Sequence, residues 1–222
     1  MQNLQRTTAS AIATIVHQLD LVLALLLALL SIFLGTNLFS PVRFDRERIE
    51  VWVAEGQIQV RGLYHYRNRT LLPVSFSLGL PFPVDADHPA PSAFSVAETD
   101  NGEPMASVNV RTYHGGNVFR LIFWPKQQKW IRLDYIQPTL AESGTYILQT
   151  TRIWNQPLDN GEYILHLDNG LSLASSTYAI AQNPPGHQNT YSFSRAHFYP
   201  GEDWNFTWQR VADIAAFRRD HP

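Results

Sequence analysis

The chain of 222 residues contains no cysteine. That single absence removes disulfides, thiolate metal sites, iron–sulfur clusters and a cysteine nucleophile together. Charge of either sign is in short supply too. Asp, Glu, Lys and Arg make up 16%, the formal net charge is -2, and the basic residues are scattered rather than clustered. Nucleic acid leaves an electrostatic footprint on the proteins that bind it, and none is present here, so no nucleic-acid partner is expected. Catalytic signatures are missing as well: no G-x-S-x-G elbow, no H-E-x-x-H, no G-x-x-x-x-G-K and no G-x-G-x-x-G occurs. Eight histidines are present, and none pairs with another at the short spacing that builds a metal site from one element. The sequence therefore reads as non-enzymatic, with no cofactor expected.

What is present begins with an apolar run. Leu19 to Phe39, "LDLVLALLLALLSIFLGTNLF", is about 21 residues, or roughly 30 Å at about 1.5 Å rise, which matches the hydrocarbon layer of a bilayer. A soluble amphipathic helix would show a polar stripe, and Leu21 to Leu34 shows none. The strictest apolar part is short enough for a secretory signal. However, the preceding segment 1–18 carries only Arg6, and "GTNLFSPVRF" offers no clear small-x-small cleavage site. We expect an uncleaved transmembrane anchor at 19–39. Asp20 reads as a solvated end marker of that span. Ala24 and Ala28, four apart, and Gly35 would permit close packing against another membrane helix.

Orientation follows from the flanks. Arg43, Arg46 and Arg48 come after the run but alternate with Asp45, Glu47 and Glu50, and long domains are exported with little regard to flanking charge. The expectation is an N terminus in the cytoplasm and a domain on the extracytoplasmic, periplasmic side.

After Ser40 the hydrophobic period changes to two. "RIEVWVAEGQIQVRGLYHY" sets Ile49, Val51 and Val53 on one face and, after a turn at Glu55-Gly56, Ile58, Val60, Gly62, Tyr64 and Tyr66 on another. Similar runs follow at intervals of about a dozen residues, separated by Gly, Asn and Asp turns. This rhythm predicts one all-β domain over about 45–222, an antiparallel sandwich of immunoglobulin-like architecture. A short helix is expected over about Val211 to Arg218.

Within the domain, several residues invite a chemical reading. Asp85, Asp87 and His88 lie in a proline-rich loop and read as a polar loop tip rather than a cation site, because a calcium loop needs more carboxylates. His65 and His166 alternate with apolar neighbours and are expected to face solvent. Trp204, Phe206 and Trp208 fall at period two, so three rings share one face; they either fill the core or meet a ligand or partner. Trp154 and Pro157 mark a structural corner. Asn68-Arg69-Thr70 and Asn205-Phe206-Thr207 match the glycan acceptor triplet.

Taken together, these features predict a non-catalytic accessory or scaffold subunit, held to the lipid bilayer by one span and joined to a larger integral membrane protein complex. The alternatives are a membrane-anchored ligand-binding module, for example for carbohydrate, and a metal-dependent hydrolase assembled from scattered residues.

Overall fold

The computed structural model describes residues 40–100, 102–113, 116–182 and 189–211. The apolar run, Ala24, Ala28, Gly35 and most of the expected C-terminal helix lie outside the described residues.

The fold is all-β. Among the described residues fourteen strands follow in order: β1 Val42–Ala54, β2 Gln57–Asn68, β3 Val74–Leu80, β4 Ala93–Asp100, β5 Glu103–Ser107, β6 Val110–Tyr113 and β7 Gly116–Phe123. Then come β8 Gln128–Pro138, β9 Ser143–Tyr146, β10 Leu158–Leu167, β11 Leu171–Ser176, β12 Ala181–Gln182, β13 Thr190–Phe198 and β14 Trp204–Arg210. A 3-10 segment, Gln149–Trp154, links β9 to β10. Among the described residues no helix is long and apolar enough to cross a membrane.

Eight strands form one sheet in the order β12-β13-β10-β1-β2-β8-β4-β5. Two smaller sheets, β11-β14-β9 and β3-β7-β6, cover its inner face. The first covering sheet is seated by Trp204 against Tyr163 and Phe193, the second by Phe76 against Trp154, which itself rests on Phe44 and Tyr66. The inner face follows the expected alternation. Ile49, Val51 and Val53 on β1 stand in register with Gly62, Val60 and Ile58 on β2, and all are buried. The outer face carries ion pairs such as Arg61 with Asp134 and stays partly solvated, as one-sided sheets do.

Strand order departs from the immunoglobulin-like expectation, which places four strands opposite three. One pair also departs from antiparallel pairing: β1 and β10 run parallel, Ile49 opposite Tyr163 and Val51 opposite Leu165. The long excursion from β2 to β9 separates them, so β10 returns to β1 in the same direction. "TYILQTTRIW" also reads as one strand in sequence, yet pairing stops at Tyr146, because Asp203 accepts hydrogen bonds from the Leu148 and Gln149 N–H groups and turns the chain into the 3-10 segment. The compact unit starts at Pro41 rather than 45, because β1 begins at Val42.

Candidate functional site

The rings of Trp204, Phe206 and Trp208 do share one face, and it is the core face. They are 0%, 2% and 6% exposed, and Trp204 meets Tyr163, Phe193 and Phe206 within 6 Å. Trp204 and Phe206 are used up in packing the first covering sheet, and Trp208 keeps only a small part of its ring at the surface, in the wall of a cleft at one end of the strands. Trp154 is the corner expected, half-buried against Phe44, Tyr66 and Phe76.

The histidines differ from expectation. His65 projects to the outer face yet is only 3% exposed, because its ring lies against Trp130 and its Nδ1 meets the Asp45 carboxylate at 2.5 Å. Asp45 reaches it through a β-bulge: β1 carries one extra residue between Phe44 and Arg46 opposite Tyr66 and His65, and the bulge turns Asp45 into the sheet. Burial alone would push the Asp45 carboxyl up. The hydrogen bond from His65, with the charges of His65, Arg67 and Arg46, outweighs it and holds the carboxyl below its ordinary range. His166 is partly covered by Trp52, stacked at 5.1 Å. His88 is buried too: its ring bonds to Asp85 and to the Ser143 carbonyl, so the proline-rich loop is pinned to β9 and is not a free tip. Among the described residues no group of three His, Asp or Glu is placed to hold a metal ion.

A carboxylate stands inside the core, in phase with Ile49, Val51 and Val53, where its charge alone argues for the surface. Glu47 occupies an inward position of β1, 4% exposed, and accepts a hydrogen bond from the Tyr163 hydroxyl. It lies opposite Tyr64 on β2 and Gly161 on β10. The Tyr163 ring folds back over Gly161, where an added Cβ would meet its hydroxyl at 2.7 Å. Tyr64 in turn shares a hydrogen bond with Tyr146 across the sheets at 2.7 Å. Burial pushes the Glu47 carboxyl up to about 7, against a smaller opposing effect of the Tyr163 bond. The tyrosine hydroxyls around it are raised as well, first by burial. A sealed site of this kind can hold a proton, but it presents no atom to an outside substrate.

The surface candidates lie at the two ends of the strands. At the near pole, where the described chain begins, the Arg69 N–H bonds to the Pro41 carbonyl at 2.8 Å. The Asn68 amide then bridges two loops, donating to the Leu72 carbonyl at 2.7 Å and the Trp124 carbonyl at 2.9 Å. Those bonds engage the Asn68 amide and leave its residue 2% exposed, which excludes it as a glycan acceptor. Gln156 joins the 3-10 segment to the same pole by accepting from Arg43 and Arg69. Outward from this scaffold stand Leu71, Leu72, Trp124 and Ile153, exposed at 76%, 69%, 65% and 78%. Arg69, Lys126 and Arg152 are interleaved with them, all exposed and none with a carboxylate partner among the described residues. Of the acids at this end, Asp159 is taken up by Arg43 and Arg67 and Asp203 by the Leu148 and Gln149 N–H groups, while Asp100, Glu103 and Glu202 are exposed and form no ion pair with Arg69, Lys126 or Arg152.

The far pole is built from the Glu55-Gly56 turn, the Thr139–Glu142 connection and the Asp168–Gly170 turn. A cleft of about 560 Å³ lies there, lined among others by Glu55, Leu140, Glu142, Asp168, Trp208 and Arg210. Arg210 bonds to Glu55 at 2.7 Å and approaches Glu142 at 3.9 Å. With Asp85 and Asp87 nearby, acids predominate at this end.

No protein-family model matches the chain, and no curated protein matches it. Among solved structures, it is similar to a Legionella pneumophila protein provisionally named as nutrient-binding, with 14% identity, 80% of this chain and 70% of that chain covered, and a TM-score of 0.57. It also matches an M1 zinc metallopeptidase of Deinococcus radiodurans at 11% identity and a TM-score of 0.44, spanning 76% of this chain but only 43% of the peptidase. The first likeness is one of fold; the second is too distant to carry any argument.

Proposed function

We propose that this chain is a non-catalytic, single-pass membrane-anchored accessory subunit whose β domain stands on the extracytoplasmic surface and docks on a larger membrane protein assembly. The observation that carries the reading is the shortness of the tether. Only Ser40 and Pro41 separate the apolar run from β1, and Pro41 is already hydrogen-bonded into the domain through Arg69. At about 3.5 Å per residue the slack is on the order of 10 Å, so a bilayer that holds residues 19–39 also keeps the near pole within reach of its headgroups. Of the immunoglobulin-like expectation we keep the layered packing of sheets and not the strand order.

The test is extraction. Full-length protein in native membranes should stay in the pellet at alkaline pH and enter solution only with detergent, bringing a membrane protein partner with it. Release at high pH, or recovery as a lone monomer from mild detergent, would refute the reading.

A second reading, a membrane-anchored ligand-binding module, is favoured by the far-pole cleft with Trp208 in its wall. Saturable quenching of tryptophan fluorescence on titration with sugars, abolished by Arg210→Ala, would favour it over the scaffold.

A further inference from the structure

We infer that the near pole is itself a lipid-contact surface, one that binds anionic phospholipid headgroups through Arg69, Lys126 and Arg152 while Leu71, Leu72, Trp124 and Ile153 enter the interfacial layer. The inference rests on the anchored reading and deepens it by naming the face and its ligand.

Four large apolar side chains at one end of a domain, each 65% exposed or more, are unusual on a surface that meets only water. Their display is built rather than incidental. The Trp124 N–H is held by the Gln127 side chain at 2.9 Å, and the turn is closed by Lys126 at φ 58, a left-handed conformation that residues other than glycine rarely take. The Asn68 amide fixes this turn to the loop carrying Leu72, so the rings and leucines are presented from a stiff base. An indole suits the headgroup level, where one edge is wet and the other apolar. Interleaved Arg and Lys complement anionic lipids, whose attraction acts within a Debye length of the surface. Lys126 donates to the Arg69 carbonyl at 2.6 Å and Arg152 lies over the Tyr199 ring at 5.4 Å, so both cations are positioned yet leave their charge uncompensated by any carboxylate among the described residues. The described chain ends at the other pole, where the Val211 N–H bonds to the Gly170 carbonyl. The apolar run, by contrast, joins the domain at this pole.

The experiment uses the full chain in nanodiscs of phosphatidylcholine with phosphatidylglycerol, a fraction of the lipid brominated on the upper acyl chain. Bromolipid should quench the parent's tryptophan emission, and Trp124→Phe should reduce that quenching at least threefold. Replacing Arg69, Lys126 and Arg152 by Gln should remove the dependence of quenching on phosphatidylglycerol while far-ultraviolet circular dichroism stays unchanged. A photoreactive phenylalanine analogue at 124 should cross-link to lipid in native membranes. Equal quenching in parent and Trp124→Phe, or cross-linking to a protein instead, overturns the inference while the anchored reading stands. Failure of the chain to incorporate at all refutes the anchored reading, and the inference with it.

Discussion

The two poles of the domain are made from the same kinds of turn and loop but are held by different physics. Beneath the near pole lies a buried layer: the Asp45–His65 pair under Trp130, then Glu47 with Tyr163, with Trp154 wedged between β3 and the main sheet. At the far pole the Arg210–Glu55 pair is exposed, at 56% and 82% of the side-chain surface, and the buried polar groups His88, Gln137 and Thr139 are held mainly by hydrogen bonds to backbone carbonyls. Buried ions in water-excluded surroundings are costly to disturb, whereas surface pairs contribute little and are screened by salt. The lesson is that the end which carries the four exposed apolar side chains is also the end where carboxylates are buried beneath the surface. A surface that must hold its shape at a membrane needs that support.

That contrast can be broken most sharply at Asp45. Asp45→Ala leaves Arg67 and a buried imidazole without their carboxylate and should cost about 4 kcal/mol, read from urea unfolding. Because the Asp45 carboxyl is held below its ordinary 3.8, its contribution is present above that pH and fades as pH falls further. A loss below 1 kcal/mol would place the near pole in the same class as the far one.

Glu47→Gln comes next. Glu47 is raised from an ordinary 4.5 to about 7, so the folded chain binds its proton more tightly than the unfolded chain does. The parent's stability from this group is present below about pH 4.5 and lost as pH rises to 7; the variant lacks that slope. The stability difference between the two should shift by about 3 kcal/mol in the variant's favour from pH 4 to pH 8. Parallel pH profiles would show that Glu47 is not the buried titrating group.

Trp154→Ala should cost about 2 kcal/mol, less than a fully buried tryptophan, through lost contact with Phe44, Tyr66 and Phe76. At the far pole, Glu55→Ala should cost less than about 0.5 kcal/mol, and added salt should erase even that. A far-pole effect as large as that at Asp45 would abolish the contrast.

Much of the domain was legible because one-sided burial writes period two into the strands: β2, the second half of β1 and the turn at Glu55-Gly56 stand where the alternation places them. Three things were not. The bulge at Asp45 adds a residue and breaks the alternation there, and Glu47, though in phase with Ile49, is a carboxylate, so "FDRER" reads as a charged surface edge although Asp45 and Glu47 are both buried. His65 occupies an outward position, and it is buried by Trp130 from β8, a long-range pairing, together with the bulged Asp45. The near pole is assembled from Leu71-Leu72, Trp124-Pro125-Lys126 and Arg152-Ile153, three segments far apart in the chain whose convergence no local pattern encodes. The signal that could have found it is the pair Leu71-Leu72 directly before Pro73, two large apolar residues where strand pairing is about to stop. Conversely, the Trp204, Phe206 and Trp208 stripe was visible in sequence, but its period is equally that of a core, and the core is where it lies.

A chain without cysteine allows a direct comparison of the poles, because a single introduced thiol is unambiguous. Leu71 and Leu140 are equally exposed at 76%, one at the near pole and one at the far pole. With the full chain in a bilayer, Leu140→Cys should react with a membrane-impermeant maleimide as fast as it does in detergent, whereas Leu71→Cys should react at least tenfold more slowly. Equal rates at both positions would contradict a near pole that faces lipid.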